Sequence, residues 1–312
     1  GKLMNSSLLV LMLLSVIRLS APIFMAGIGN MFCERVGILN LGTEGMMVSG
    51  AFAAVAGSYL TGSPWIGLLC GILGGALACM LYGVVCIEFG GMQAIAGLGL
   101  NMFALGFTQF LCSAVFKSDI SPSVANLKES TLLADIPVVG RYLKQLSPII
   151  FIIILVAVIS YFVIFKTTFG LRIRAIGDDP KTAETAGISV WKVKYQGVLL
   201  CGMICGLAGA YMSLGQLDRF AAGMTSGKGM LAVIAVKMGR WNPVGIMGTA
   251  LLLGLFDAIQ LQLQLNQNIQ IPPELVQTIP FIAGILVLSL QHAGDDRPAA
   301  LEKPYIKNKY KF

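Results

Sequence analysis

The stretch that decides the fold is Trp65-Ile66-Gly67-Leu68-Leu69-Cys70-Gly71-Ile72-Leu73-Gly74-Gly75-Ala76-Leu77-Ala78-Cys79-Met80-Leu81-Tyr82-Gly83-Val84-Val85-Cys86-Ile87, which contains no Asp, Glu, Lys or Arg. As a helix it is long enough to cross the hydrocarbon core of a bilayer, which takes about 20 apolar residues. Comparable runs occupy Leu8 to Gly29, Ala94 to Phe116, Ile149 to Phe165, Gly197 to Leu214, Gly245 to Leu263 and Leu275 to Gln291. Two weaker runs, Gly45 to Thr61 and Gly229 to Met238, bring the candidates to nine. The first run begins like a signal peptide, but apolar character resumes after Arg18 and reaches Met31 without a small-residue cleavage site, so it reads as a span.

The composition agrees. Of 312 residues, 56% are hydrophobic and only 12% charged, about half the charged share of a soluble domain, and the mean hydropathy is +0.80. The expectation is an all-α polytopic membrane protein of about nine spans, a single transmembrane domain over 1–312 with no room for a second soluble domain. The 37 glycines suit close backbone contact between membrane helices. A net charge of +7 comes from Lys and Arg scattered between apolar runs and gathered in one loop and the C-terminal tail, which is topology information and not a nucleic-acid-binding stripe. Cys33, Cys70, Cys79, Cys86, Cys112, Cys201 and Cys205 form no CxxC pair and read as small packing residues. A single histidine, His292, argues against a metal cluster or a Ser/His/Asp triad.

Two polar connections stand out. Lys117 to Ser147, with Pro122, Pro137, Gly140 and the adjacent Pro148, carries four basic and three acidic residues. Lys166 to Tyr195 carries six basic residues (Lys166, Arg172, Arg174, Lys181, Lys192, Lys194) against three acidic ones and is the better cytoplasmic loop, helped by a tail with Arg297, Lys303, Lys307, Lys309 and Lys311. The expected organisation is a first half 1–116, an extracytoplasmic loop 117–147, a connecting span 148–165, a cytoplasmic loop 166–195, a second half 196–291 and a basic cytoplasmic tail 292–312. Whether each terminus lies inside depends on whether the two weak runs cross. Gly42-Thr43-Glu44-Gly45-Met46-Met47 lies over Ser226-Gly227-Lys228-Gly229-Met230-Leu231, each ahead of a weak run, as in an inverted repeat. Broken or re-entrant segments at matching positions of two halves point to a transport pathway.

Charged and amide residues in apolar surroundings are the pathway candidates: Arg18, Asn40, Glu44, Gln93, Asn101, Lys228 and Asp257. Each has a structural alternative. Arg18 would pair with Glu34 or Glu44, Glu44 with Lys228, and Asp257 with Lys237 or Arg240. Gln93 and Asn101, about 80° apart on one helix, would offer neutral hydrogen bonds to an uncharged polar solute. Gln260, Gln262 and Gln264 alternate and so mark the wet end of a span.

In Gly170-Leu171-Arg172-Ile173-Arg174-Ala175-Ile176-Gly177-Asp178-Asp179-Pro180-Lys181-Thr182-Ala183-Glu184-Thr185-Ala186-Gly187-Ile188, an N-cap at Asp178 or Asp179, Pro180 at the first helical position and Gly187 as a stop predict a helix of about two turns. It is either a docking knob or an ordinary amphipathic connector.

This loop resembles the coupling loop of permease subunits of ABC importers in the branched-chain amino acid, ribose and nucleoside group. Gly229 to Trp241, closing in Gly239-Arg240-Trp241-Asn242-Pro243, is similar to the second-half motif of that family. Phe32-Cys33-Glu34-Arg35-Val36-Gly37-Ile38-Leu39-Asn40-Leu41-Gly42-Thr43-Glu44-Gly45-Met46-Met47 and Gly97-Leu98-Gly99-Leu100-Asn101 most resemble its nucleoside and simple-sugar branch. The likeness runs from about Arg18 to Gln291 and suggests the shorter member of a two-permease pair. It implies a non-enzymatic permease in the bacterial cytoplasmic membrane, a second permease subunit in a heterodimer, ABC ATPase subunits holding ATP and Mg, and an extracytoplasmic solute-binding lipoprotein. It also implies that Arg172, Arg174, Gly177, Asp178, Asp179, Pro180, Ala183, Glu184, Gly187 and Ile188 couple to the ATPase.

The chain has no cofactor motif of its own. A P-loop needs GxxxxGK[ST], and Gly227-Lys228 has Ala222 and Gly229 at the flanking positions. Nucleosides are the expected solute. The alternatives are a simple sugar such as ribose or galactose, and less so an ATP-independent secondary transporter. An intramembrane enzyme finds no paired acids at helical spacing in a GxGD-like context, no HExxH and no serine with a histidine base here.

Overall fold

The computed structural model describes residues 2–128, 147–265, 272–290, 296–303 and 305. Expectations that rest on Pro137, Gly140, His292, Lys307, Lys309 and Lys311 lie outside the described residues. The described elements are helical: α1 (Lys2–Arg35), α2 (Thr43–Thr61), α3 (Pro64–Ile87), α4 (Gln93–Phe116), α5 (Ile149–Lys166), α6 (Thr168–Asp178), α7 (Pro180–Thr185), α8 (Val190–Ala210), α9 (Lys228–Met238), α10 (Pro243–Leu265), α11 (Pro273–Val276) and α12 (Ile279–Leu290). A π-helical segment, Tyr211–Leu217, extends α8.

Six of these helices are long and apolar enough to span a membrane: Met12–Arg35, Pro64–Ile87, Gln93–Phe116, Ile149–Lys166, Val190–Leu217 and Pro243–Gln264. The other three of the nine expected runs are α2, α9 and the last run. α2 is a complete helix of 19 residues, entered through buried irregular backbone at 36–42. α9 is a half-length helix of 11 residues, about 16 Å long. The last run is two helices, because Pro280 withholds an N–H and its ring crowds the carbonyl four residues earlier, so α11 stops at Val276.

The same physics shapes α1. Pro22 lies inside it, which leaves the carbonyl of Arg18 without its helical donor. Gln216 Nε2 donates to that carbonyl at 2.7 Å and the Tyr211 hydroxyl at 3.4 Å, tying the π-helical segment to α1.

Glycines set the centre. α2, α3 and α8 meet through Gly50, Gly71, Gly75, Gly202 and Gly206, and a Cβ on Gly50 would stand 2.5 Å from the Gly206 Cα. Backbones this close replace the hydrophobic effect as the source of helix contact in lipid. The outer faces of α3, α4 and α5 expose Leu69, Leu73, Leu77, Met102, Phe110, Leu155 and Phe162, an apolar belt suited to acyl chains. Six of the seven cysteines are buried and all are free thiols, packed as small apolar groups.

One face of the chain gathers the α6–α7 loop, the end of α1, residues 296–303 and Tyr305, where Ala300 N donates to the Gly177 carbonyl at 2.8 Å. The opposite face joins 120–128 to 214–221 through Ser121 N to Phe220 O (2.9 Å), Val124 N to Asp218 O (3.0 Å) and the Lys128–Asp218 ion pair (2.9 Å). The Lys128 ammonium holds the Asp218 carboxyl below the usual carboxylate range.

A Cβ on Gly206 would meet the backbone of Gly71 and Gly75 on α3, so Gly206→Ala should lower stability by roughly 1–3 kcal/mol from overpacking. Gly99, where an added Cβ would have nothing within 4 Å, is the control. Thermal unfolding of the detergent-purified protein checks this: Gly206→Ala loses monodisperse protein at lower temperature, and Gly99→Ala does not.

Candidate functional site

The buried stretch 39–45 is held by side chains the sequence marks as pathway candidates. Asn40 Oδ1 accepts from Gly42 N at 2.9 Å, and its amide nitrogen lies 3.3 Å from the Cys201 sulfur. Gln93 Oε1 accepts from Leu39 N at 2.7 Å. Asn101 does two jobs at 2.8 Å, accepting from Gly45 N and donating to the Leu41 carbonyl. Tyr82 OH donates to the Leu39 carbonyl. Gln93 and Asn101 do share a face of α4, but they spend these polar atoms on the backbone of the break. They are the side-chain partners of buried irregular chain, whose backbone groups would otherwise go unmet.

Glu44 stands in the first turn of α2 and reaches across to the start of α9. Its Oε1 accepts from Gly227 N at 3.0 Å and its Oε2 from Gly229 N at 2.6 Å. The expected pair with Lys228 is replaced by this cap, because an isolated helix start offers free N–H groups and a positive dipole end that a carboxylate satisfies directly. Gly229 is required for the approach, since a Cβ there would meet the Glu44 backbone at 2.5 Å.

Lys228 turns instead to Asp257 on α10, Nζ to Oδ2 2.5 Å. Lys237 and Arg240, the expected partners of Asp257, belong to the far end of α9. The pair floors a cleft of about 410 Å³ lined also by Ser226, Gln260, Gln264 and Gln277. Asp257, Gln260 and Gln264 fall on one helical face, so two of the three alternating glutamines face the cleft and Gln262 does not. Arg18 stands apart: its side chain is exposed, and both Glu34 and Glu44 are engaged elsewhere.

Glu34, fully buried, accepts from Trp241 Nε1 at 2.6 Å and from Asn30 Nδ2 at 3.2 Å. Arg35 donates from Nε and Nη2 to the Trp241 carbonyl at 3.1 and 2.9 Å. Arg240 and Trp241 have φ of +52° and +51°, a tight reversal between α9 and α10 that the end of α1 clamps. Sequence reasoning assigns Glu34 and Arg35 no part in this clamp; the Gly239 to Pro243 motif is the available sign of it.

The α6–α7 loop folds as expected at its second half and more helically at its first. Asp179 is the N-cap of α7, its side chain accepting from Lys181 N at 3.0 Å. The Thr182 hydroxyl, donating at 2.5 Å, and that backbone N–H hold the Asp179 carboxyl below its ordinary range. Pro180 opens the helix and Gly187, at φ +82°, ends the turn. Residues 168–178 are helical too, because Thr167 caps Gly170 N at 3.2 Å and Gly170, Ile173, Ile176 and Gly177 form one buried stripe. Arg172 and Asp178 are exposed, Arg174 lies over the Phe165 ring at 5.6 Å, and Glu184, Gly187 and Ile188 line a groove of about 590 Å³ with Glu88 and Trp191. Ala183 faces inward at 3% exposure; it anchors α7 to the chain's own helices, and Lys181, Thr182 and Thr185 on α7 and Ala186 just after it are exposed.

Residues 12–288 match the family described as branched-chain amino acid transport system / permease component. The guanosine ABC transporter permease protein NupQ of Bacillus subtilis is 35% identical over 302 residues, covering 93% of this chain and 94% of that protein. The nucleoside ABC transporter permease protein NupC of Lactococcus lactis is 34% identical, covering 93% and 95%. The provisionally named glucose ABC transporter permease protein TsgC13 of Haloferax volcanii is 31% identical, covering 88% and 89%. Among solved structures, an inward-facing conformation of a metal-chelate type ABC transporter superposes with a TM-score of 0.52 at 15% identity, over 89% of this chain and 85% of that one, a likeness of fold. The chain is a multi-helix membrane permease and belongs to the family of branched-chain amino acid transport system permease components.

Proposed function

We propose that this chain is the membrane-spanning subunit of an ATP-driven importer that moves nucleosides across the bacterial cytoplasmic membrane. The observation that carries the solute class is the similarity to guanosine and nucleoside permeases over 93% of the chain. The 31% identity to TsgC13 keeps a simple sugar as the second reading. The chain itself is non-catalytic in this account. It works with a second permease subunit, ABC ATPase subunits that hold ATP and Mg, and an extracytoplasmic solute-binding lipoprotein.

The face that carries α6, α7, residues 296–303 and Tyr305 is cytoplasmic in this proposal. Lys166, Arg172, Lys181, Arg240, Arg297 and Lys303 support that orientation. The halves 1–116 and 196–291 then relate as an inverted repeat about the meeting of the α2 and α9 starts, with nine membrane segments of which α9 is half-length. The loop 117–147 is extracytoplasmic, and 148–165 is the connecting span.

The cleft above Lys228 and Asp257 is the pathway segment within this chain. Its amides suit a neutral solute rich in hydrogen-bonding groups, and the ion pair at its floor costs less at membrane depth than either charge alone. Glu44 holds the start of α9 beside it, and Asn40, Gln93 and Asn101 hold the backbone of 39–45, so in this proposal these four position the pathway without touching solute. Arg18, exposed beside the π-helical segment, faces the second permease subunit or the lumen between the two.

The outward side of α7 is the ATPase contact. Ala186→Arg should cut ATP-driven uptake at least about tenfold while membrane abundance stays normal, since exposed surface changes cost little stability; unchanged uptake in reconstituted vesicles rejects the contact. Competition settles the solute class: labelled guanosine uptake is blocked by excess unlabelled nucleosides and not by ribose or glucose, whereas block by the free sugars alone selects the sugar reading.

A further inference from the structure

Residues 296–303 and Tyr305 are more than part of a basic tail that sets orientation. Ala300 and Leu301 are buried at 6% and 4% exposure. Ala300 N donates to the Gly177 carbonyl at the end of α6. Gly177 is held closely enough that a Cβ on it would touch the Arg35 carbonyl and stand 3.4 Å from Pro298. Gly37, at φ +81°, packs just after α1 against the same Ala300, a Cβ there lying 3.3 Å from its carbonyl oxygen.

Tyr305 completes the connection. Its hydroxyl donates to Glu184 Oε2 on α7, and its ring receives the buried Lys194 ammonium of α8 at 5.6 Å. Arg240, at the reversal between α9 and α10, stands 3.6 Å from Asp296. Residues 296–303 and Tyr305 therefore touch the junctions after α1, α6 and α9, the C-terminal end of α7 and the first turns of α8.

We infer that residues 296–303 and Tyr305 form a strap that fixes α7 against α1 and α8, and that Tyr305 is a positioning residue that turns ATPase-driven displacement of α7 into movement of those helices. The inference rests on the assignment of α7 as the ATPase contact. A short helix of about two turns has little stability of its own, so its orientation depends on what holds its two sides. Ala183 seats it from within, and Tyr305 takes hold of Glu184 at its C-terminal end. Without the Tyr305 hold, a push on α7 is absorbed by local rotation of the helix and does not reach α8.

The test uses the assembled complex in proteoliposomes, reading ATP hydrolysed per nucleoside transported, with co-purification of the ATPase subunits as the assembly measure. Tyr305→Ala should raise ATP consumed per solute at least about fivefold while the ATPase subunits stay bound. Tyr305→Phe, which keeps the ring on Lys194 and loses the hydrogen bond to Glu184, should fall between the two. If Tyr305→Ala weakens assembly, the ratio in Tyr305→Phe decides alone: a raised ratio supports the strap and a normal one overturns it. A normal ratio in an assembled Tyr305→Ala complex also overturns it. Ala186→Arg, run in parallel, separates the two layers. If it too leaves uptake intact, the α7 contact is wrong. If it stops uptake while Tyr305→Ala leaves the ratio normal, only the strap is wrong.

Discussion

The Glu44 carboxylate lies 8% exposed between the first turn of its own helix and the first turn of α9, with the N–H groups of Gly227 and Gly229 donating to its two oxygens. A helix that begins inside a membrane protein leaves N–H groups with no water to meet them, at a cost of several kcal/mol for each group left unmet. α2 and α9 both begin that way, and their positive ends converge on one place. The Glu44 carboxylate stands near both positive ends and gives the start of α9 two charge-assisted acceptors worth roughly 1.5–3 kcal/mol each, while the Gly45 N–H of α2 is met by Asn101. Everything around it follows. Gly229 is needed because the helix starts touch, Lys228 is turned away to Asp257, and Asn101 and Gln93 take over the backbone of 39–45.

From that junction, α1 and α9 lead to the face that carries the α6–α7 loop. α9 ends in the left-handed reversal at Arg240 and Trp241, and the last turn of α1 takes both the carbonyl and the indole of Trp241. α1 passes the π-helical segment through the carbonyl that Pro22 leaves free. The polar cleft and the broken helix starts are thus joined through α1 and α9 to the face that carries α6 and α7.

Much of this is legible in the sequence, and the failures have physical causes. Apolar run length locates α3, α4 and α5 to within a residue at each end, because a charge-free run in lipid has one solution. Pro180, Asp179 and Gly187 define α7 because capping chemistry is local. The extra helix at 168–178 escapes sequence reading because its buried stripe is short and interrupted by Arg172 and Arg174. Individual partners escape it for a different reason. Glu44 and Lys228 are opposite charges at matching positions, and pairing them is the simplest assumption. Backbone N–H groups of a helix start compete for the carboxylate, and a sequence displays no backbone donors. Ala183 can be placed in the short capped helix from the sequence, but which way it faces is set by α6 and α8.

The central claim is that Glu44 holds the start of α9, and hydrogen–deuterium exchange of the segment 226–231 in lipid nanodiscs tests it most directly. The wild-type amides of Gly227 and Gly229 should exchange slowly. In Glu44→Gln, loss of a charged acceptor worth roughly 1.5–3 kcal/mol should speed them about tenfold or more, with α3 and α8 unchanged. Equal exchange of this segment in the two proteins would contradict the account.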